Sequence, residues 1–180
     1  ITASAGTSNV RFGVNAGNSI VSGGNKNVLI GDEAGTAITT GDYNIALGYQ
    51  ALALEDTGER SVAIGHQALR SQNAAGLNYN TAVGFTAGEL VTTGIKNTLI
   101  GGLAGDALNT GSFNVAVGMQ SLSADTKGAK NVAIGQGALE SQNFTSATDS
   151  YNTAVGHVAG LNITTGIQNT LIGGLAGDAL

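Results

Sequence analysis

The five-residue phrase Asn-Val/Thr-x-Ile/Val-Gly occurs ten times along the chain, with small variations. Its first residue lies at Asn9, Asn27, Asn44, Ser61, Asn80, Asn97, Asn114, Asn131, Asn152 and Asn169. Six of the nine intervals are 17 residues long, and the other three are 18, 19 and 21. A unit this short cannot bury its own apolar face, so successive copies must stack and share one core. The repeat therefore predicts a solenoid, in which each coil is numbered from position 1 at this first residue.

Glycine and small residues mark the corners of the expected coil. Position 5 is glycine in all ten coils, position 15 is glycine in every complete 17-residue coil, and position 8 is alanine in nine coils and Ser121 in the other. Positions 2 and 4 carry β-branched or other apolar residues around a third position, which is the alternation of a short strand. We predict an all-β, parallel β-solenoid (β-roll) of about ten coils over residues 9–180, after a leading segment 1–8, with positions 2 and 4 buried.

Positions 3 and 9 vary together. Leucine at position 3, in Leu29, Leu99 and Leu171, always accompanies glycine at position 9, whereas leucine at position 9 always accompanies alanine at position 3. Pairing large with small keeps the packed volume constant, so the two positions are expected to share one space. The same column of Ala, Leu and Gly is expected to form an apolar stripe on the outside of the roll, against which partner copies pack.

Two columns of residues are expected to form ladders along the stack. The asparagine column at position 1 should satisfy backbone groups and its own neighbours at a turn; its members are Asn27, Asn44, Asn80, Asn97, Asn114, Asn131, Asn152 and Asn169. The residue before each phrase alternates between aromatic and cationic or polar, and we call these residues the edge column: Lys26, Tyr43, Arg60, Tyr79, Lys96, Phe113, Lys130, Tyr151 and Gln168. This alternation predicts a cation–π ladder, and the alternative is a stacking platform for a sugar or a base.

Two coils are longer than the rest, at residues 71–79 and 141–151, and both share the lead-in Ala-Leu-x-Ser-Gln-Asn, at residues 68–73 and 138–143. They lie four coils apart and are expected to project from the same edge, roughly 19 Å from each other. Inserted loops on one face of a repeat array often bind ligands. The candidate ligand-contacting residues are therefore Asn73, Asn78, Tyr79, Asn143, Phe144, Asp149 and Tyr151.

Composition argues against several classes of function. Charged residues make up 11% of the chain and the net charge is -5, so no basic surface is expected for nucleic acid. There is no cysteine, and no apolar run is long enough for membrane insertion. His66 and His157 share a column that does not require imidazole, and the carboxylates are scattered, so we expect no enzyme, metal site or cofactor. The first residue is not Met and the chain stops within a repeat, which indicates a piece of a longer protein, truncated at the C-terminus.

The units Asn80-Thr-Ala-Val-Gly, Asn97-Thr-Leu-Ile-Gly and Asn131-Val-Ala-Ile-Gly resemble repeats of trimeric fibre proteins, including bacteriophage tail fibres and bacterial-surface fibres. They are also similar to the head repeats of trimeric autotransporter adhesins, whose Ser-Val-Ala-Ile-Gly phrase appears at residues 61–65. The resemblance implies an intertwined or side-by-side homotrimer in an extracellular fibre of a virion or a bacterial surface.

The expected function is that of a structural or adhesive segment, the shaft or head of a trimeric fibre, which presents a distal tip to a cell surface or contacts that surface itself. One alternative is a glycan-binding solenoid that uses the edge column or the inserted segments to bind a cell-surface glycan or another envelope component. Another is a self-assembling extracellular filament component, because uncapped solenoid ends expose strand edges.

Overall fold

The computed structural model describes residues 6–178, which form fourteen short strands and no helix. The leading segment 1–8 lies partly outside the described residues. One three-residue strand falls at positions 2 to 4 of each coil; these ten strands are β1 (Val10–Phe12), β2 (Val28–Ile30), β3 (Ile45–Leu47), β5 (Val62–Ile64), β7 (Thr81–Val83), β8 (Thr98–Ile100), β9 (Val115–Val117), β11 (Val132–Ile134), β13 (Thr153–Val155) and β14 (Thr170–Ile172).

These ten strands form a single parallel sheet in the order of the coils. The register places each position opposite the same position of the next coil, so that Ala116 pairs with Leu99 on one side and with Ala133 on the other. The predicted fold class, a parallel β-solenoid of about ten coils some 17 residues apart, is confirmed. At the strand spacing of about 4.8 Å, the sheet is about 43 Å long.

After each strand the chain reverses through consecutive β-turns. In the coil that starts at residue 80, Ala87 N–H donates to the carbonyl of Gly84 (3.4 Å), and Glu89 N–H donates to the carbonyl of Thr86 (3.1 Å). Gly84, Thr86 and Gly88, at positions 5, 7 and 9, all have positive φ, of 144°, 51° and 61°. Non-glycine residues recur with positive φ at position 7, which the sequence pattern did not predict, because in most coils no glycine marks that position.

The core lies on the opposite face of the sheet from the one expected. Position 3 is fully buried in the inner coils, as at Ala63, Leu99 and Ala133, whereas positions 2 and 4 point outward and are half-buried or exposed, as at Ile100 and Ile134. The prediction that positions 2 and 4 are buried is therefore wrong. The turns after each strand close the coil on the side of position 3, and the alanines of positions 3 and 8 fill the interior together with the leucines of positions 3 and 9.

Positions 3 and 9 do share one space, but that space is inside the roll. A Cβ atom built on Gly88 or Gly105 would lie 2.7 or 2.8 Å from the nearer side-chain methyl of Leu99, so one leucine occupies the room left by two glycines. Because Leu99 and Leu122 are both fully buried, the expected outer stripe of positions 3 and 9 does not exist. The apolar stripe on the outside is formed by positions 2 and 4.

The inserted segments fold onto the wall of the solenoid and do not project as free loops. Within them, β6 (Gly76–Leu77) pairs in parallel with β4 (Gly58–Glu59), and β12 (Thr148–Asp149) pairs in parallel with β10 (Gly128–Ala129). The extra residues thus extend a second wall of the roll locally to two-stranded width. The lengths of the inserted segments and their common lead-in are evident from the sequence, but this pairing is not, because two-residue strands carry too little pattern to be recognised.

Burial raises the pKa of the Asp106 carboxyl, and the negative charge of Glu89 adds to this effect. Its Oδ1 atom is buried without a hydrogen-bond partner among the described residues. Ionisation of the Asp106 carboxyl therefore lowers the free energy of unfolding. This loss is largest above the pKa of the folded state, and it is absent below the ordinary aspartate pKa of about 3.9.

We expect Asp106→Asn to raise the free energy of unfolding by a few tenths of a kcal/mol at neutral pH, a small effect because the group is only partly buried. The difference in the free energy of unfolding between the variant and the wild type should disappear as the pH falls below about 3.9. Urea denaturation of both proteins over this pH range measures it, and a difference that is independent of pH would contradict the assignment.

Candidate functional site

The edge column lies beside the main sheet, where the chain enters each strand. Its residues have positive φ, for example 59° at Tyr43 and 62° at Arg60, and its aromatic members are 44–50% exposed. Lys26 Nζ lies 4.7 Å from the centre of the Tyr43 ring and donates a 2.8 Å hydrogen bond to its hydroxyl oxygen. The guanidinium of Arg60 lies between two rings, 5.5 Å from Tyr43 and 5.7 Å from Tyr79. Cations and rings therefore alternate along this edge.

The second half of the edge column adds an ion pair to this arrangement. Lys96 Nζ lies 5.1 Å from the Phe113 ring, and Lys130 Nζ lies 5.0 Å from the Tyr151 ring. Lys130 also donates to Asp149 Oδ2 at 2.7 Å, and this hydrogen bond, followed by the one to the Tyr151 hydroxyl, raises the pKa of the Lys130 ammonium. Asp149 belongs to the second inserted segment, so the ion pair connects that segment to the edge column.

Inside the roll, the asparagine column connects each coil to the next. Asn97 is representative: its Oδ1 accepts from the backbone N–H of Asn114 at 2.9 Å, and its Nδ2 donates to the carbonyl of Gly111 at 2.9 Å. Its own N–H donates to Asn80 Oδ1 at 2.8 Å. The amide thus satisfies a backbone donor of the following coil and a corner carbonyl of its own coil, both of them buried.

Ser61 interrupts the asparagine column, and Gln72 bridges the gap. Gln72 Nε2 donates to Ser61 Oγ at 2.8 Å and to Glu55 Oε2 at 2.8 Å, while its Oε1 accepts from Asn80 Nδ2 at 2.8 Å. All four side chains are fully buried. Four coils later, Gln142 makes the corresponding contacts to Asp125 and Asn152. Both inserted segments therefore begin at a buried polar cluster inside the roll.

The seven candidate ligand-contacting residues divide into exposed and buried groups. Asn73, Tyr79, Asn143, Asp149 and Tyr151 are exposed. Asn78 and Phe144 are buried: Nδ2 of Asn78 donates to Glu55 Oε2 at 3.0 Å, and the backbone N–H of Phe144 donates to Asp125 Oδ1 at 3.1 Å. These two residues hold the inserted segments onto the roll and present no surface to a ligand.

An open groove of about 510 Å³ lies where the edge column meets the second inserted segment. Its lining combines an aromatic ring, hydroxyl groups, two ammonium groups and a carboxylate, contributed by Thr110, Ser112, Phe113, Lys127, Ala129, Lys130, Ala147, Thr148 and Asp149. Of these residues, the sequence identified only Phe113 and Lys130 as ladder members and Asp149 as a ligand contact. Lys127 was missed, although the coil register alone places it next to Thr110 in the neighbouring coil.

A second aromatic stack lies at position 6, where the chain leaves each strand, and thus at the opposite ends of the strands from the edge column. The His66 ring lies 5.3 Å from the Tyr49 ring and stacks on Phe85 at 5.0 Å with an interplanar angle of 15°. All three side chains are exposed. The sequence placed these residues in one column but predicted no contact, and the signal it contained was their spacing by one coil each.

Within residues 6–178, no cluster of three or more His, Asp or Glu side chains could hold a metal ion. The same stretch contains no helix that is long and apolar enough to cross a bilayer. No known family model, curated protein or solved structure matches the chain.

Proposed function

We propose that this chain is a rigid segment, the shaft or head, of a homotrimeric extracellular fibre on a virion or a bacterial surface. The supporting observation is the sheet face, which we define as the outward side chains of positions 2 and 4 in all ten coils. These twenty side chains are eight valines, six isoleucines, four threonines, one leucine and one phenylalanine, without a single charge. They stay half-buried or exposed in the single chain, as at Ile45 (38%) and Leu47 (42%).

The size of the sheet face favours a protein partner. It is about 43 Å long, and its three-residue strands are about 10 Å wide, which gives an area on the order of 430 Å². On a monomeric protein the largest apolar patch covers about 300–600 Å² and is often functional. A stable interface needs about 800 Å² from each partner. The sheet face would thus supply about half of such an interface, and the residues that border the strands would supply the rest.

The regularity of the sheet face favours other copies of the same chain as the partners. Its side chains stand in rows that repeat at the strand spacing over ten coils, and only a surface with the same repeat can match every row. A single chain also closes its own core, which favours a side-by-side over an intertwined arrangement. The number of copies, three, follows from the resemblance to trimeric fibre repeats.

The proposed fibre role depends on stiffness, and the backbone provides it. Each coil pairs with both neighbours through the main sheet, and further hydrogen bonds between coils run through the turns, for example from Gly105 N–H to Ser121 O at 2.9 Å. Such a stack resists bending, because bending would stretch the hydrogen bonds between neighbouring coils on its convex side. A rod of this kind suits the presentation of a distal tip.

Sedimentation equilibrium tests the assembly. The wild-type chain, of 17.8 kDa, is expected to sediment with three times that mass, and the double variant Ile64→Glu/Val117→Glu, which places charges in the centre of the sheet face, is expected to sediment as a monomer. The control double variant Leu54→Glu/Leu90→Glu adds the same two charges to exposed leucines outside the strands and should remain trimeric. A wild-type monomer would refute the trimer, and a trimeric Ile64→Glu/Val117→Glu variant would show that another surface makes the contact.

A further inference from the structure

The groove is built from three successive layers of the roll. Phe113 belongs to the first layer, Lys127 and Lys130 to the second, and Thr148 and Asp149 to β12 in the inserted segment. Its volume of about 510 Å³ falls within the range of about 300–1,000 Å³ that small-molecule sites occupy. One chain supplies all of these residues, so the groove does not depend on the assembly proposed above.

The two ammonium groups of the groove differ in whether they already have partners. The ammonium of Lys130 donates to Asp149 Oδ2 at 2.7 Å and to the Tyr151 hydroxyl at 3.0 Å, so its charge is already paired within the protein. Lys127 forms no ion pair with any carboxylate within the described part of the chain. Its ammonium group is therefore free to bind an anion, while Asp149 keeps a second oxygen that can accept hydrogen bonds.

The groove also offers an aromatic surface and a hydroxyl donor. Phe113 is 48% exposed, and Lys96 covers its ring from the neighbouring coil at 5.1 Å. Thr110 contributes a hydroxyl that can donate or accept. A ligand that matches these groups has an apolar face for the ring, several hydroxyl groups for Thr110 and Asp149, and one negative charge for Lys127.

From this combination we infer that the groove binds an acidic sugar, a pyranose ring that carries a carboxylate. The carboxylate would pair with Lys127 in a charge-assisted hydrogen bond, the ring hydroxyls would donate to Asp149, and the C–H face of the sugar would pack on Phe113. This assignment specifies the chemical class of the ligand and restricts binding to one groove per chain.

The first inserted segment provides an internal comparison, because it has the same backbone pairing but different side chains. Thr57 stands in place of Lys127, Glu59 in place of Ala129, and Leu77 in place of Asp149. The free ammonium is missing there, and the one carboxylate stands at the position of Ala129 and not at that of Asp149, so this edge lacks the cation that would pair with an anionic sugar. Tyr43, which corresponds to Phe113, therefore serves as a control position.

Isothermal titration calorimetry with a tetragalacturonate, and with its fully methyl-esterified form, tests the inference. The wild-type protein should bind the acid and bind the ester at least tenfold more weakly. Lys127→Thr, which introduces the residue found at the corresponding position of the first segment, and Phe113→Ala should each weaken binding of the acid at least tenfold. Tyr43→Ala should leave it unchanged.

Three results would overturn the assignment: no binding of the acid by the wild type, equal binding of acid and ester, or equal losses in Tyr43→Ala and Phe113→Ala. Sedimentation of Lys127→Thr under the same conditions separates the two proposals. This variant should bind the acidic sugar weakly and should still sediment with the same mass as the wild type. Binding by a monomeric wild type would support the groove while refuting the trimer.

Discussion

Replacing Asn97 by alanine is expected to lower the free energy of unfolding by about 3–5 kcal/mol, since two buried backbone groups lose their partners at about 1–3 kcal/mol each. These groups are the N–H of Asn114 and the carbonyl of Gly111. No nearby side chain replaces the lost amide, whereas Gln72 does so beside Ser61. Urea denaturation followed by circular dichroism, at one fixed protein concentration because any association adds to stability, measures the change.

Asn169→Ala is the matched control for this experiment. Asn169 occupies the same position in the last coil, where its Nδ2 donates to Asn152 Oδ1 at 3.0 Å, and no further coil among the described residues donates to its own Oδ1. The control should cost about 1 kcal/mol, the value of one ordinary hydrogen bond. Equal losses in Asn97→Ala and Asn169→Ala would show that the contact to the following coil contributes little.

Gly118→Ala is expected to destabilise the fold by at least about 3 kcal/mol, through backbone strain together with a steric clash. Gly118 has a φ of 134°, and a Cβ atom there would lie 2.5 Å from both the carbonyl carbon and the carbonyl oxygen of Gly135 in the next coil. Both are backbone atoms of the stack, so neither can move aside without separating the coils. The variant should unfold at a lower urea concentration or fail to fold.

Gly173→Ala separates the strain from the clash. Gly173 is the corner glycine of the last coil, with a φ of 124°, and a Cβ atom on it would meet no other atom within 4 Å. The free energy of unfolding of this variant should fall only by the cost of placing alanine at a positive φ, about 1–3 kcal/mol. If Gly118→Ala and Gly173→Ala lost the same amount, close stacking would not be the reason for glycine at this corner.

The two proposals use different surfaces, which lie next to each other on the roll. The sheet face is apolar and regular over ten coils, as required for a repeated contact between identical chains. The groove lies beside the longer coil that starts at residue 131, where the repeat is broken and side chains need not satisfy the stacking rules. Such departures from a repeat are places where binding can be added without cost to the core.

The sequence determined the coils, the strands and their parallel register, because a recurring phrase fixes which residues stack on each other. It also predicted that Leu99 and the glycines of position 9 share one space, since volumes must balance in a packed interior. It did not predict which face of the strand encloses that interior. An alternation of period two shows which side chains lie together, not which side they face.

The direction in which the chain turns after the strand decided that question. Positive φ at positions such as Gly84 and Thr86 folds each coil toward the alanine side, leaving valines and isoleucines outside. Tertiary structure likewise determined the conformation of the inserted segments. Asn78 and Phe144 are buried against the roll, and Asp149 accepts a hydrogen bond from Lys130. The sequence thus determined which residues stack on each other, because the spacing of the repeat shows this directly. Only the tertiary structure determined which side chains lie inside the roll, because that depends on the turns that close each coil.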